Sequence, residues 1–210
     1  IELNPIEITP VVYDKMYDGC DYVVNDYYSL ASGNFLASGD EITTSFKYTN
    51  KATNEVVSTP INVGSYLVEF ADDLDIINNS NSTKINYNIS KNSSVINITK
   101  RAITVETVSK SMIYNGNALT AYDETDFKIA DSSENPLVEG HYLEVGQSEL
   151  PTITNVGTLT NKYIIKVLDS EGNDVTSNYD INYLYGELSV TPLDVYVNVL
   201  SDKVEYNGEE

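Results

Sequence analysis

The sequence predicts an all-β chain made of tandem β-sandwich domains, and three observations lead there. Apolar residues alternate along the chain and do not recur at helical spacing. Candidate strands return about every 8–12 residues, broken by Gly, Asn and Asp. One tripeptide, Tyr-[Asp/Asn]-Gly, is written three times, at Tyr17-Asp18-Gly19, Tyr114-Asn115-Gly116 and Tyr206-Asn207-Gly208.

The alternation is plainest in three stretches. "SYLVEF" puts Tyr66, Val68 and Phe70 on one face, and "YIIKVL" does the same for Tyr163, Ile165 and Val167. In "DVYVNVL", Val195, Val197 and Val199 share one face and Tyr196, Asn198 and Leu200 the other. The first two stretches run into "ADDLDIINNSNS" and "DSEGNDVTSN", whose acids, Asn and Gly read as connections. No stretch supports a long amphipathic helix.

The tripeptide moves in register with other landmarks. "INVGSY" (61–66) returns as "TNVGTL" (154–159), and "SGD" ending at Asp40 pairs with "EGH" ending at His141. "NYNISKNSSVINIT" (86–99) returns as "NYDINYLYGELSVT" (178–191). Four landmarks in one order mark a tandem array of whole domains. The expected organisation is one repeat over residues 1–100, a second over 101–192, and the first strand of a third over 193–210. Each tripeptide is read as a structural turn: Asn-Gly and Asp-Gly tolerate positive φ, and the Tyr packs inward with its hydroxyl on nearby backbone. No Gly/Ser linker separates the repeats, and Pro192 stiffens the second junction, so semi-rigid beads are expected.

Composition excludes several function classes. With 32 acidic residues against 12 basic ones the net charge is −20, a field that repels nucleic acid and anionic membranes. One Cys and one His argue against an internal disulfide and a transition-metal site. No segment approaches the roughly 18 apolar residues of a membrane span. With no Met at position 1 and no signal peptide, the chain reads as a piece of something longer.

The landmarks carry a specific resemblance. The order Tyr-[Asp/Asn]-Gly, Gly-[Asp/His], Asn-Val-Gly, Asn-Tyr-[Asn/Asp]-Ile, Gly-x-Leu-x-Val-Thr-Pro resembles the bacterial immunoglobulin-like repeats called YDG or MBG domains. The second repeat carries nearly all of it, from Tyr114-Asn115-Gly116 through Gly140-His141, Asn155-Val156-Gly157 and Asn178-Tyr179 to Gly186, Leu188, Val190, Thr191 and Pro192. The first repeat departs from it, with Ser94 in the place of Gly186 and an insertion around Asn50 to Glu55. The resemblance spans essentially the whole chain. It implies an immunoglobulin-like fold in a long secreted or wall-anchored bacterial protein, where such repeats serve as stalks or adhesive modules. It brings no catalytic residues.

Ligand chemistry has few candidates. Calcium is the leading one: "DSEGND" supplies Asp169, Glu171, Asn173 and Asp174, and "ADDLD" supplies Asp72, Asp73 and Asp75, although EF-hand spacing is absent. A plain solvated turn is the competing reading. A Lys–Asn isopeptide would draw on strand lysines such as Lys47 or Lys166, and a thioester on Cys20 and Gln147, the only Cys and Gln. Tyr22, Tyr27 and Tyr28 are candidate binding aromatics for a glycan or host protein, against core packing as the simpler reading. Carboxylate pairs are too abundant to indicate a glycosidase, and His141 stands where the first repeat has Asp40, which argues for a turn residue over a triad member. Asn97-Ile98-Thr99 and similar triplets are compositional.

The sequence thus points to a non-catalytic extracellular stalk on a bacterial surface, without a cofactor and with neighbouring repeats as its partners. A glycan- or host-protein-binding module, or accessory domains of a large secreted enzyme, are the alternatives.

Overall fold

The computed structural model describes residues 2–24, 28–120, 126–147, 149–162 and 164–208. The chain is all-β: its only helical pieces among these residues are single 3-10 turns at Lys84–Asn86 and Thr176–Asn178. No helix among the described residues is long and apolar enough to cross a membrane. The strands fall into several sheets and two compact units. The first unit is Ile1–Val105, Ile129–Glu144 and Ile165–Asn182; the second is Glu106–Lys128, Val145–Ile164 and Tyr183–Glu210.

In the first unit, strand Asn4–Pro10 lies between Tyr87–Lys91, to which it is parallel, and Tyr28–Leu30, to which it is antiparallel. Pro10 lacks an amide donor and ends the ladder. The chain then joins a second sheet as Lys15–Met16, parallel to Ser94–Thr99. That sheet continues through Gly64–Phe70 and Phe46–Asn50 to Val56–Val57. The two sheets share one apolar cluster: Ile6 and Ile8 from the first strand meet Phe70, Leu74, Ile76 and Tyr87. Each of these large side chains contributes about 1.5–3 kcal/mol by leaving water. The alternation expected of "SYLVEF" is present, with Tyr66, Val68 and Phe70 all buried. Residues 50–55 form a tight connection in which Asn54 takes φ 59° and the Asn50 side chain accepts the Ala52 amide at 2.9 Å.

In the second unit, Gly186–Thr191 lies between Lys110–Ile113, parallel to it, and Gly157–Asn161, antiparallel to it. Leu188 and Val190 point into its interior, and so do three polar residues, Thr107, Asp126 and Asn161. Most of their polar atoms are bonded, which offsets the cost of burial, while Asn161 Oδ1 is buried without a hydrogen-bond partner among the described residues. The Thr107 hydroxyl donates to the Asn161 carbonyl at 2.8 Å and accepts the Gly186 amide at 2.9 Å. Asn161 Nδ2 donates to the Val108 carbonyl at 2.8 Å, and the Lys110 ammonium lies 2.5 Å from Asp126 Oδ1. Gly186 is required by space, since a Cβ there would sit 2.3 Å from the Val108 carbonyl oxygen. Ser94, the residue that the sequence aligns with Gly186, instead turns its hydroxyl to the Pro10 carbonyl at 2.6 Å. Residues 193–200 pair with no strand among the described residues, and both faces of their alternation are exposed.

Candidate functional site

The three tripeptides share one local geometry. The glycine takes positive φ each time, +73° at Gly19, +82° at Gly116 and +80° at Gly208. Asp18 and Asn115 do not take it; they act as side-chain acceptors. Asp18 Oδ1 accepts the Cys20 amide at 3.0 Å, and Asn115 Oδ1 accepts the Asn117 amide at 2.9 Å. This is the Asx-turn, a different use of Asp and Asn from the positive φ expected of them. The preceding tyrosine is tied by its amide to a late strand: Tyr17 to the Thr99 carbonyl at 2.9 Å, Tyr114 to the Thr191 carbonyl at 2.8 Å.

A second pair of landmarks also repeats its geometry. At Gly140-His141 the His141 amide donates to the Val138 carbonyl, and the Tyr179 hydroxyl meets His141 Nδ1 at 2.8 Å. At Gly39-Asp40 the Asp40 amide donates to the Ala37 carbonyl, and the Tyr87 hydroxyl donates to Asp40 Oδ2 at 2.6 Å. The same tyrosine hydroxyls accept the Val138 and Ala37 amides at 3.3 and 2.8 Å. The direction of the Tyr179–His141 bond follows the tautomer: Nδ1 accepts the phenol proton when the imidazole proton is on Nε2 and donates when it is on Nδ1.

Within the first unit these two kinds of landmark converge. The Tyr17 ring stands edge-on to Tyr179 with centroids 5.6 Å apart and tilts against His141 at 6.2 Å. Asn178 is buried and spends both halves of its amide: Oδ1 accepts the Val63 N–H, and Nδ2 donates to Asn62 Oδ1, each at 2.9 Å. Arg101 adds a bridge, donating to the Pro136 carbonyl at 2.7 Å and to the Tyr17 carbonyl at 3.3 Å. Gly19 passes so near that an added Cβ would lie 2.8 Å from Val138 Cγ1. Burial holds His141 below its ordinary range, against the opposing pull of Asp169, so the imidazole is neutral at neutral pH. Burial likewise raises the phenols of Tyr17 and Tyr179. The aromatic part of the cluster is therefore neutral, Arg101 brings its one positive charge, and hydrogen bonds tie the loops together.

The calcium candidates Asp169, Glu171, Asn173 and Asp174 lie beside this cluster in the groove that also holds Asp18, Glu139 and His141, whereas Asp73 and Asp75 of the other acidic stretch accept the Ser45 amide and the Ser82 hydroxyl. Asp169 Oδ1 accepts the amides of Glu171 and Asn173 at 2.9 and 2.8 Å, and its Oδ2 accepts Asn173 Nδ2 at 3.0 Å. The Asn173 side chain foremost holds the Asp169 carboxyl below its usual range. Asp174 accepts the Thr176 amide at 3.0 Å and lies 3.6 Å from the Lys166 ammonium. Among the described residues no group of three or more His, Cys, Asp or Glu side chains is arranged to hold a metal ion.

Among the candidate aromatics, Tyr22 is buried, and its hydroxyl donates to the Tyr13 carbonyl and accepts the Tyr13 amide. Tyr28 packs against the main apolar cluster. Tyr27, like Tyr163 of the expected strand, lies outside the described residues. Tyr206 is exposed. Lys47 and Lys166 are half-exposed, facing Glu69 and Asp174. Cys20 is free and exposed, and the Gln147 amide is bonded to backbone at Glu149 and Ile164.

Sequence reasoning missed two groups. One is the buried Thr107, Asp126 and Asn161 set, because polar residues in an alternating strand read as outward-facing. The other is Tyr183 and Tyr185, whose rings stack with centroids 5.3 Å apart and planes 10° from parallel, with Lys162 over Tyr185. Their i, i+2 spacing was the available signal. Compared with known proteins, the chain matches no family model and no curated protein.

Proposed function

We propose that the chain consists of two immunoglobulin-like β-sandwich repeats in tandem and works as a non-catalytic stalk or spacer of a bacterial cell-surface, adhesin-like protein. The observation that carries this reading is where the recurring residues go. Tyr17, Asn62, His141, Asn178 and Tyr179 spend polar atoms on one another, on Arg101 and on backbone. Pairing supports the tandem part: Thr99 lies opposite Met16 in one parallel ladder, and Thr191 opposite Ile113 in another. The resemblance to YDG and MBG repeats supports the surface role. The reading needs no cofactor, since the Asp169 turn is held by its own amides.

Force spectroscopy tests it. Two unfolding events are expected, each releasing roughly 30 nm of chain at about 3.5 Å per residue. A single event, or unfolding at negligible force, sinks the load-bearing role.

A binding module is the second reading, favoured by the stacked Tyr183–Tyr185 pair with Lys162 above it, a platform of the kind that sugars and peptides stack on. Tyr185→Ala would then abolish retention on a glycan or host-protein surface without altering the melting temperature.

A further inference from the structure

We propose that the Tyr114-Asn115-Gly116 and Asn155-Val156 face of the second unit docks the Gly39-Asp40 and Asn86-Tyr87 face of a second copy of this chain. The proposal rests on the spacer reading for its logic and extends it to an interaction surface.

The argument starts from paired residues with equal local geometry and unequal burial. Tyr17 is 2% exposed against Tyr179 and His141, while Tyr114, held by the same amide bond and followed by the same Asx-turn, is 38% exposed. Gly19 approaches Val138, while Gly116 has nothing within 4 Å of the place its Cβ would take. Asn62 and Val63 are bonded to Asn178, and Val63 is half-buried, whereas Val156 is exposed. In the other half the difference lies at one residue, since Tyr87 and Tyr179 are both buried. Asn178 is buried, whereas Asn86, which closes the same kind of 3-10 turn, is exposed.

Each open half therefore carries what the other lacks. Docked as in the first unit, Tyr114 would lie on the Asp40–Tyr87 pair, in the way Tyr17 lies on His141 and Tyr179. Asn86 would accept the Val156 amide and donate to Asn155, repeating both bonds of Asn178. Gly116 would pass Ala37, a smaller neighbour than the Val138 that Gly19 meets. The contact is heterologous, so the two surfaces differ and each is needed once.

Affinity is bounded by two effects. A covalently joined neighbour acts at an effective concentration of about 1 mM, so a free copy must be supplied near that level. Two molecules of net charge −20 repel, so association strengthens with added salt.

The test is a concentration series of the isotope-labelled 210-residue chain by nuclear magnetic resonance, up to about 1 mM in moderate salt. Expected are shifts at residues 114–116 and 155–157 and, together with them, at 37–40 and 86–87. Tyr114→Ala and Asn86→Ala, both at exposed positions, should each abolish the shifts alone. Their mixture should restore them, because each variant keeps the half the other has lost. Spectra that do not change with concentration, shifts elsewhere, or a mixture as silent as its components would overturn the proposal. The spacer reading would survive any of these, since it is decided by force spectroscopy on single molecules.

Discussion

Gly19 and Gly116 occupy equivalent turns with nearly equal φ, so replacing either by alanine costs about 1–2 kcal/mol for the left-handed backbone. Only Gly19 has a neighbour, Val138 Cγ1 at 2.8 Å, and the overlap adds about 1–3 kcal/mol. Urea midpoints should therefore fall further for Gly19→Ala than for Gly116→Ala; equal shifts would mean the Gly19 approach contributes nothing. Asn178 and Asn86 offer the same comparison. Asn178→Ala removes the acceptor of the half-buried Val63 amide, at about 1–3 kcal/mol, while Asn86→Ala should leave the melting temperature unchanged. The turn chemistry of these residues was legible in the sequence, because Asp-Gly and Asn-Gly specify a local conformation. Their contacts were not. Asn178 bonds to Val63 across 115 positions, and nothing in local pattern says which loop will face which.

Strands divide along the same line. The alternation in "SYLVEF" announced its buried face correctly, because period-2 burial is a property of one strand alone. The strand Gly186–Thr191 also shows Leu188 and Val190 inward, but what they meet was hidden. Thr107, Asp126 and Asn161 come from three separate elements, and each looks outward-facing in its own sequence context. Thr107→Val removes a donor to the Asn161 carbonyl and an acceptor for the Gly186 amide. It should cost about 1–3 kcal/mol even though the shapes match; calorimetry showing no loss would assign the pocket to packing alone.

For the whole molecule, acid is the informative variable. His141 is held low by burial, so the folded state resists its protonation. Stability is full above the unfolded histidine range and falls as pH drops below about 6.5. Asp40 and Asp169 are held low chiefly by the Tyr87 and Asn173 side chains. Their contribution is full above the unfolded aspartate range and is lost as pH falls through their depressed folded values. A pH series of thermal midpoints should show an early decline that His141→Gln removes and a later one that it leaves. A single decline below pH 4, identical in both proteins, would count against a half-buried, neutral His141.

A chain that repeats itself risks pairing the wrong copies of its strands, and neighbouring similar segments exchange most readily while both are unfolded. The Gly186 position guards against that error. Ser94 holds the corresponding place in the strand Ser94–Thr99, and even its Cβ would fall 2.3 Å from the Val108 carbonyl oxygen if the strands traded places. In the reverse exchange glycine would forfeit the hydroxyl that reaches Pro10. Glycine at 186 and serine at 94 thus make the two strands poor substitutes for one another.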